Sequence, residues 1–351
     1  MLLKMHLPPL DVAVYPIVTM AHGRYGGPVR PASSSPNSPD FSNIQKLIRN
    51  IFRSSRLSVQ QVERLQGRLH QVYFLRMTDG SALVLKCPPQ LNTRLLRHEQ
   101  RGLETEAKVL ELIKPYTQVP VPQCVKHDPQ GGSLGSPYII LSHIPGTRLS
   151  DVAPYLSASE RTVVDHALGA YIRSITSLAA PSFGMMHRVS AGTGSTSWRE
   201  AFVSLLESAL RDAEDMLVTM PYNSIRYHIL RHGPMLDQVT EARLVPINAG
   251  QPENVLLDEG TRQVYGLLGF SDVVWGDPLM AGVFMDASEA FYQGYGEYPV
   301  RERNARVRQL IYAVYRAVVA VVTHYYRPRF ASEELDARRS LTWALNQLSQ
   351  V

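Results

Sequence analysis

The polar side chains that could take part in chemistry gather in residues 244–278, LVPINAGQPENVLLDEGTRQVYGLLGFSDVVWGDP, and at two points upstream. Asn248 and Gln251 stand in the first turn of this stretch, Lys86 ends the apolar run VLK, and His143 follows the apolar run YIILS. Each can donate a hydrogen bond, and each also reads as an ordinary structural side chain. No nucleophile triad, no zinc-type cluster of histidine and cysteine and no dinucleotide fingerprint accompanies them. A set of scattered donors suits binding, or a reaction that gains mainly from holding a substrate in one conformation.

Residues 244–278 read as strand, turn, strand, turn, strand. LVPIN is broken by Gly250 and Pro252, NVLLD is stopped by Asp258, Glu259 and Gly260, and QVYGLLGF leads into a polar loop ending in Gly276, Asp277 and Pro278. This frame resembles the catalytic core of the aminoglycoside phosphotransferase and choline kinase family. In that family the pattern is His-any-Asp, four residues, Asn, a short strand, a second Asp beside an aromatic residue, and then Gly-Asp-Pro. Asn254, Phe270 and the Gly-Asp-Pro run keep the frame. The position of the catalytic Asp is Ala249, that of the His is Ile247, and that of the metal-holding Asp is Gly269.

The resemblance implies ATP, Mg²⁺ and a small-molecule hydroxyl as acceptor, and this chain departs at the residues that matter most. Mg²⁺ needs hard oxygen ligands, and the hydroxyl needs a carboxylate to accept or orient its proton. Alanine and glycine supply neither. Asn248 is no base. Asp272 is a weak metal candidate that needs a remodelled loop, and Asp277 reads as loop support. The expectation is therefore no metal site, no cofactor, and a vestigial nucleotide site made of Lys86, Glu106 and Asn254.

The elements that position these residues follow the same family order. FSNIQKLIRNIF reads as an amphipathic helix capped by Ser42 or Asn43. Two alternating runs flank Asp79 and Gly80, a strong hairpin signal. Gly67 falls where the family's phosphate-covering loop lies, but it is a single glycine. Lys86 falls on the phosphate-binding lysine, and the following helix offers Glu106 as its partner with Glu104 as competitor. VPVP, then SPYIILSHIPG, matches the lobe-connecting strand and hinge, with His143 on the hinge side.

Beyond the hinge the pattern is mainly helical. Ser157 and Glu160 form a capping box before a stripe of Val163, Val164, Ala167, Leu168, Tyr171, Ile172 and Ile175. Residues 198–220 read as a long helix, the dense VVAVV run as a helix buried on more than one side, and residues 333–348 as a closing helix. The fold class implied is α+β: a two-lobed protein-kinase-like fold with a small antiparallel β lobe and a larger, mainly helical lobe. The expected divisions are a disordered tail over 1–42, a small lobe over 43–142 and a helical lobe over 143–351.

The formal charge of +5, from 36 basic and 31 acidic residues, is a mild excess with no basic block, which argues against nucleic acid as partner. Two cysteines, Cys87 and Cys124, fit a reducing, cytoplasmic setting. The apolar runs are too short to span a membrane, and prolines 8, 9 and 16 interrupt any secretory signal. Residues 26–43, rich in Pro, Ser and Gly, cannot build a core.

The functional expectation is a pseudo-phosphotransferase whose inter-lobe cleft binds a small, largely apolar metabolite. Cofactor-independent chemistry there, a cyclisation or Diels–Alder-type closure, follows by analogy with divergent members of the family in fungal secondary metabolism. The alternatives are a non-catalytic pseudokinase that binds a ligand or protein, and an atypical ATP-dependent phosphotransferase.

Overall fold

The computed structural model describes residues 39–54 and 56–351. The expected disordered tail lies, as far as residue 38, outside the described residues. In chain order the elements are α1 (Phe41–Phe52), β1 (Val59–Leu65), β2 (Gln71–Met77), β3 (Ala82–Cys87), α2 (Gly102–Tyr116), β4 (Cys124–Asp128), β5 (Tyr138–Ser142), β6 (Thr147–Arg148), α3 (Leu149–Val152) and α4 (Ala158–Thr176). They continue as β7 (Ala179–Ala180), β8 (Gly184–Met185), α5 (Met186–Ser190), α6 (Trp198–Asp215), α7 (Tyr222–His232), β9 (Ala242–Pro246), β10 (Val255–Leu257), β11 (Val264–Leu267), β12 (Val273–Gly276), α8 (Glu289–Tyr295), α9 (Ala305–Tyr326) and α10 (Ala331–Ser349).

The first five strands form one antiparallel sheet in the order β1-β2-β3-β5-β4. The β2–β3 hairpin turns at Asp79 and Gly80, where Gly80 takes φ +86, a conformation open to glycine. One face of the sheet presents Tyr73, Leu75, Met77, Leu83, Leu85 and Cys87. Ile44, Leu47 and Ile48 of α1 pack onto it at helical spacing. Each such buried aliphatic side chain contributes about 1.5–3 kcal/mol. The cap of α1 is Asp40, not Ser42 or Asn43. The Asp40 carbonyl accepts from the N–H groups of both Asn43 and Ile44, which places the two expected caps inside the helix.

The other face of the sheet alternates in the opposite sense. Ile139 and Leu141 of β5 are buried with Leu103, Ala107 and Leu110 of α2. This larger apolar cluster continues without a break into the helical part of the chain. At its centre lies α9, buried on several sides through Val314, Ala317, Val318, Val321 and Val322, as the VVAVV run implied. The Ser157–Glu160 capping box starts α4, with the Ser157 N–H donating to Glu160 at 2.8 Å. Val163 departs from the expected stripe and faces solvent, because Val164, Leu168, Ile172 and Ile175 already fill the core side.

The stretch 244–278 holds one strand more than its sequence suggested. Residues 273–276, read as part of a polar loop, form β12, which pairs with β9 and β8 in the sheet β7-β9-β12-β8. Val273, Val274 and Trp275 are all buried. The run escaped notice because three apolar residues between Asp272 and Gly276 are too few to show a strand period. The β10–β11 hairpin pairs instead with β6 in a separate sheet. The loops that join β9 to β10 and β11 to β12 are thereby held side by side.

Candidate functional site

Alternation along β3 sends Leu83, Leu85 and Cys87 into the small core and leaves Val84 and Lys86 on the opposite face. There Lys86 Nζ donates to Glu106 Oε1 at 2.6 Å. Of the two candidate glutamates, Glu104 and Glu106, Glu106 is the partner because it lies on the buried side of α2, 2 % exposed. Glu104 pairs along the helix with Lys108 and Arg101. The second oxygen of Glu106, Oε2, is buried and has no donor among the described residues.

The segment that leads into α2 is tied to the helical part of the chain. Glu99 forms a two-point pair with Arg327, at 2.8 and 2.5 Å, and Arg97 pairs with Asp212 and Asp215. Leu267 of β11 donates to the carbonyl of Pro120 at 2.8 Å, so the VPVP linker also docks on the motif hairpin. These contacts fix Glu106 relative to the loops below it.

Residues 247–254 form a tight loop after β9. The Gln251 N–H and the Asn254 side-chain amide both donate to the Asn248 carbonyl, at 3.1 and 2.8 Å. Ile247 and Ala249, at the positions of the family's His and Asp, are buried apolar side chains. Gly269 takes φ +85, and the Asn254 side chain fills the space beside it: a Cβ there would lie 2.6 Å from Asn254 Nδ2.

Asp272, in the β11–β12 loop, contacts the 247–254 loop at two points. Its Oδ2 lies 3.4 Å from Asn248 Nδ2, and its carbonyl accepts from the Ile247 N–H. Burial raises its pKa above the ordinary carboxylate value; Glu99 adds to the shift, while His98 and Arg68 oppose it. Asp277 serves the frame. It caps the turn at Leu279, accepts from the Tyr312 hydroxyl at 2.7 Å and pairs with Arg308 at 2.9 Å. Tyr312 in turn accepts from Trp198 Nε1 at 2.8 Å.

The four candidate donors do not converge. Lys86 is engaged by Glu106, and Asn248 by Asp272. The Gln251 side chain lies against Gly282. His143 stands edge-on to Phe74 with ring centres 4.9 Å apart, and burial holds its pKa below the ordinary imidazole value. Across the β2–β3 register Val72 faces Lys86 and Phe74 faces Val84. Lys86 and His143 therefore end a half-buried apolar strip of Val72, Phe74 and Val84.

One residue of this region escaped the sequence reading. His70, just before β2, lies against Gly102 at the start of α2 and within electrostatic range of Lys86, Glu106 and Glu99. Its sequence context, GRLHQ, carries no motif that marks it. Thiol chemistry is not available nearby. Cys87 and Cys124 are free, and burial pushes their pKa values up to about 12 and about 11.

The magnesium nucleotide implied by the family frame does not fit these residues. The Gly269 position is closed by Asn254, and Ala249 offers no side-chain oxygen. Among the described residues no group of three or more His, Cys, Asp or Glu side chains is arranged to hold a metal ion. Also among them, no helix is long and apolar enough to cross a membrane.

Residues 61–298 match the family model described as "Phosphotransferase enzyme family", which is more than half of the chain. No curated protein matches the sequence. Among solved structures, a protein assigned as a fructosamine-3-kinase from Haemophilus somnus is similar with TM-score 0.63 and 16% identity, over 88% of this chain and 98% of that one. One with the same assignment from Thermobifida fusca gives TM-score 0.61 and 14% identity, over 86% and 98%. A thermostable mutant of an aminoglycoside phosphotransferase, in a ternary complex with AMP-PNP and hygromycin B, gives TM-score 0.55 and 16% identity, over 88% and 97%. At these identities the likeness is one of fold: two-lobed, α+β and kinase-like.

Proposed function

The chain belongs to the phosphotransferase enzyme family, and we propose that it transfers no phosphate and uses the cleft of that fold to bind a small, largely apolar molecule. The observation that carries this reading is the pair of positions 249 and 269. Both lack a carboxylate, and at Gly269 the space for one is taken by Asn254. Phosphoryl transfer depends on charge neutralisation around the phosphates, and these two positions are where the family's acidic groups would supply it.

The apolar strip of Val72, Phe74 and Val84, with Lys86 at one end and His143 at the other, supports a ligand with an apolar body and a polar terminus. A flexible substrate held against that strip would gain rate from restricted conformation alone, which is what a cofactor-free cyclisation requires. A second reading, binding without turnover, is favoured by one feature. Lys86 and Asn248 already donate within the protein, so few free donors remain to stabilise a transition state.

The test is direct. Purified protein is incubated with ATP and Mg²⁺, and release or transfer of the γ-phosphate is followed. No turnover above the buffer rate is expected, and turnover abolished by a chelator would end the proposal. Apolar metabolites are then screened by thermal shift, with product analysis by mass spectrometry. Hits should lose at least tenfold in affinity in Phe74→Ala. Product formation separates a cyclase from a binding protein.

A further inference from the structure

We propose that the β1–β2 loop, residues 66–70, is a latch that closes the Lys86 end of the cleft, with the His70 ring as its wedge. The loop is short and turns back on itself. A Cβ on Gly67 would stand 2.3 Å from the His70 carbonyl oxygen, so only glycine lets the chain return so closely. That return directs His70 toward α2.

Contacts to distant parts of the chain hold the latch. The His70 ring lies against Gly102: a Cβ there would be 2.9 Å from His70 Cε1 and 3.4 Å from Ser271 Cβ. The ring thus sits where the start of α2 and the β11–β12 loop meet. The carbonyl of Arg68 accepts from Arg329 Nη2, in the α9–α10 connection, at 2.7 Å. The Arg68 guanidinium lies 3.7 Å from Glu253, in the loop before β10. The last is an exposed pair and contributes little alone. The wedge and the Arg329 bond carry the closure.

The wedge suits a neutral imidazole. Burial drives the His70 pKa down to about 4, and Lys86 of β3 adds to that; Glu106 of α2 and Glu99 before α2 oppose it without overcoming it. A released loop returns the ring to its ordinary value of 6.5. Protons therefore bind the open form better, and acid releases the latch. At pH 5 the two values correspond to a shift of about twentyfold toward the open form relative to pH 7.

The latch bears on the proposed function because it controls the same cleft, yet its test needs no ligand, so either can fail alone. Exchange of the His70 C2 hydrogen, followed by peptide mass spectrometry across pH 4–8 on the full chain, reports both accessibility and titration. In the wild type His70 is expected to exchange slowly and titrate below pH 5. Gly102→Ala pushes the ring out while favouring the helix, and Arg329→Ala cuts the second tie from outside the cleft. Each should speed His70 exchange at least tenfold and move its titration toward 6.5. Acetylation of Lys86 by an amine-reactive ester at pH 7.5 should rise at least tenfold in the same variants. A wild-type His70 that exchanges and titrates like a free imidazole would overturn the latch. So would release of His70 with no change at Lys86.

Discussion

The side chain of Asn254 stands where a Cβ on Gly269 would have to go, 2.6 Å from its Nδ2 and 2.7 Å from its Cγ. Asn254 is held there by its own bond to the Asn248 carbonyl. Restoring the family carboxylate at position 269 thus meets two obstacles, a clash and a backbone at φ +85 that L side chains rarely adopt. Gly269→Asp is expected to lower stability by about 1–3 kcal/mol. Adding Asn254→Ala should recover the clash but not the backbone strain. Urea unfolding of the single and double variants measures the split.

Lys86 and Glu106 form a nearly buried pair, with side-chain exposures of 18% and 3%. Removing one charge leaves the other without its partner in a low-dielectric site. Lys86→Met should cost about 3–5 kcal/mol, and Lys86→Met with Glu106→Leu should restore most of it. Equal losses in the single and double variants would show that the pair is not the source. Chemical denaturation at pH 7.5 decides between these outcomes.

The frame of the fold was legible because its signals are local or evenly spaced. The Asp79–Gly80 turn, the Ser157–Glu160 capping box and the VVAVV helix each announce themselves within a few residues. Burial also chose between Glu104 and Glu106, which lie on different faces of α2; the sequence named both but could not weigh them. What stayed hidden depends on distant neighbours. β12 is too short for a period to show and exists because β8 and β9 flank it. His70 gains its place only when α2 and Ser271 are brought against it. The sequence named Asn248, Gln251, His143 and Lys86 as donors, but not that two of them are already paired inside the protein.

Asp277 anchors a buried chain of polar groups that runs from Trp198 through Tyr312 and ends at Arg308. The Arg308 side chain is 6% exposed, and its other carboxylate, Glu302, lies at the surface. Asp277→Ala should cost about 3–5 kcal/mol by leaving the guanidinium half-paired and the Tyr312 hydroxyl without its acceptor. Asp277→Asn keeps the acceptor for Tyr312 and should cost clearly less. If the two variants melt together, the charge and not the hydrogen bond dominates; thermal denaturation gives the ranking.

His228 and His232 stack one turn apart on α7, ring centres 5.9 Å apart and 9° from parallel, beneath the end of α10. Ser349 Oγ lies 3.3 Å from His228 Nε2, and His232 bonds the Leu348 backbone. Burial lowers both pKa values from 6.5; nearby Arg231 lowers both further, and His232 also lowers that of His228. The unfolded chain therefore binds more protons than the folded one once pH falls below about 6.5, and stability must fall with it. His70, His143 and His187 are shifted in the same direction and add to the slope. The urea midpoint should drop between pH 7 and pH 5, and a His228→Leu, His232→Leu double variant should show a shallower fall. An unchanged slope in that variant would place the acid sensitivity at the other histidines and leave α10 docked on α7 independently of pH.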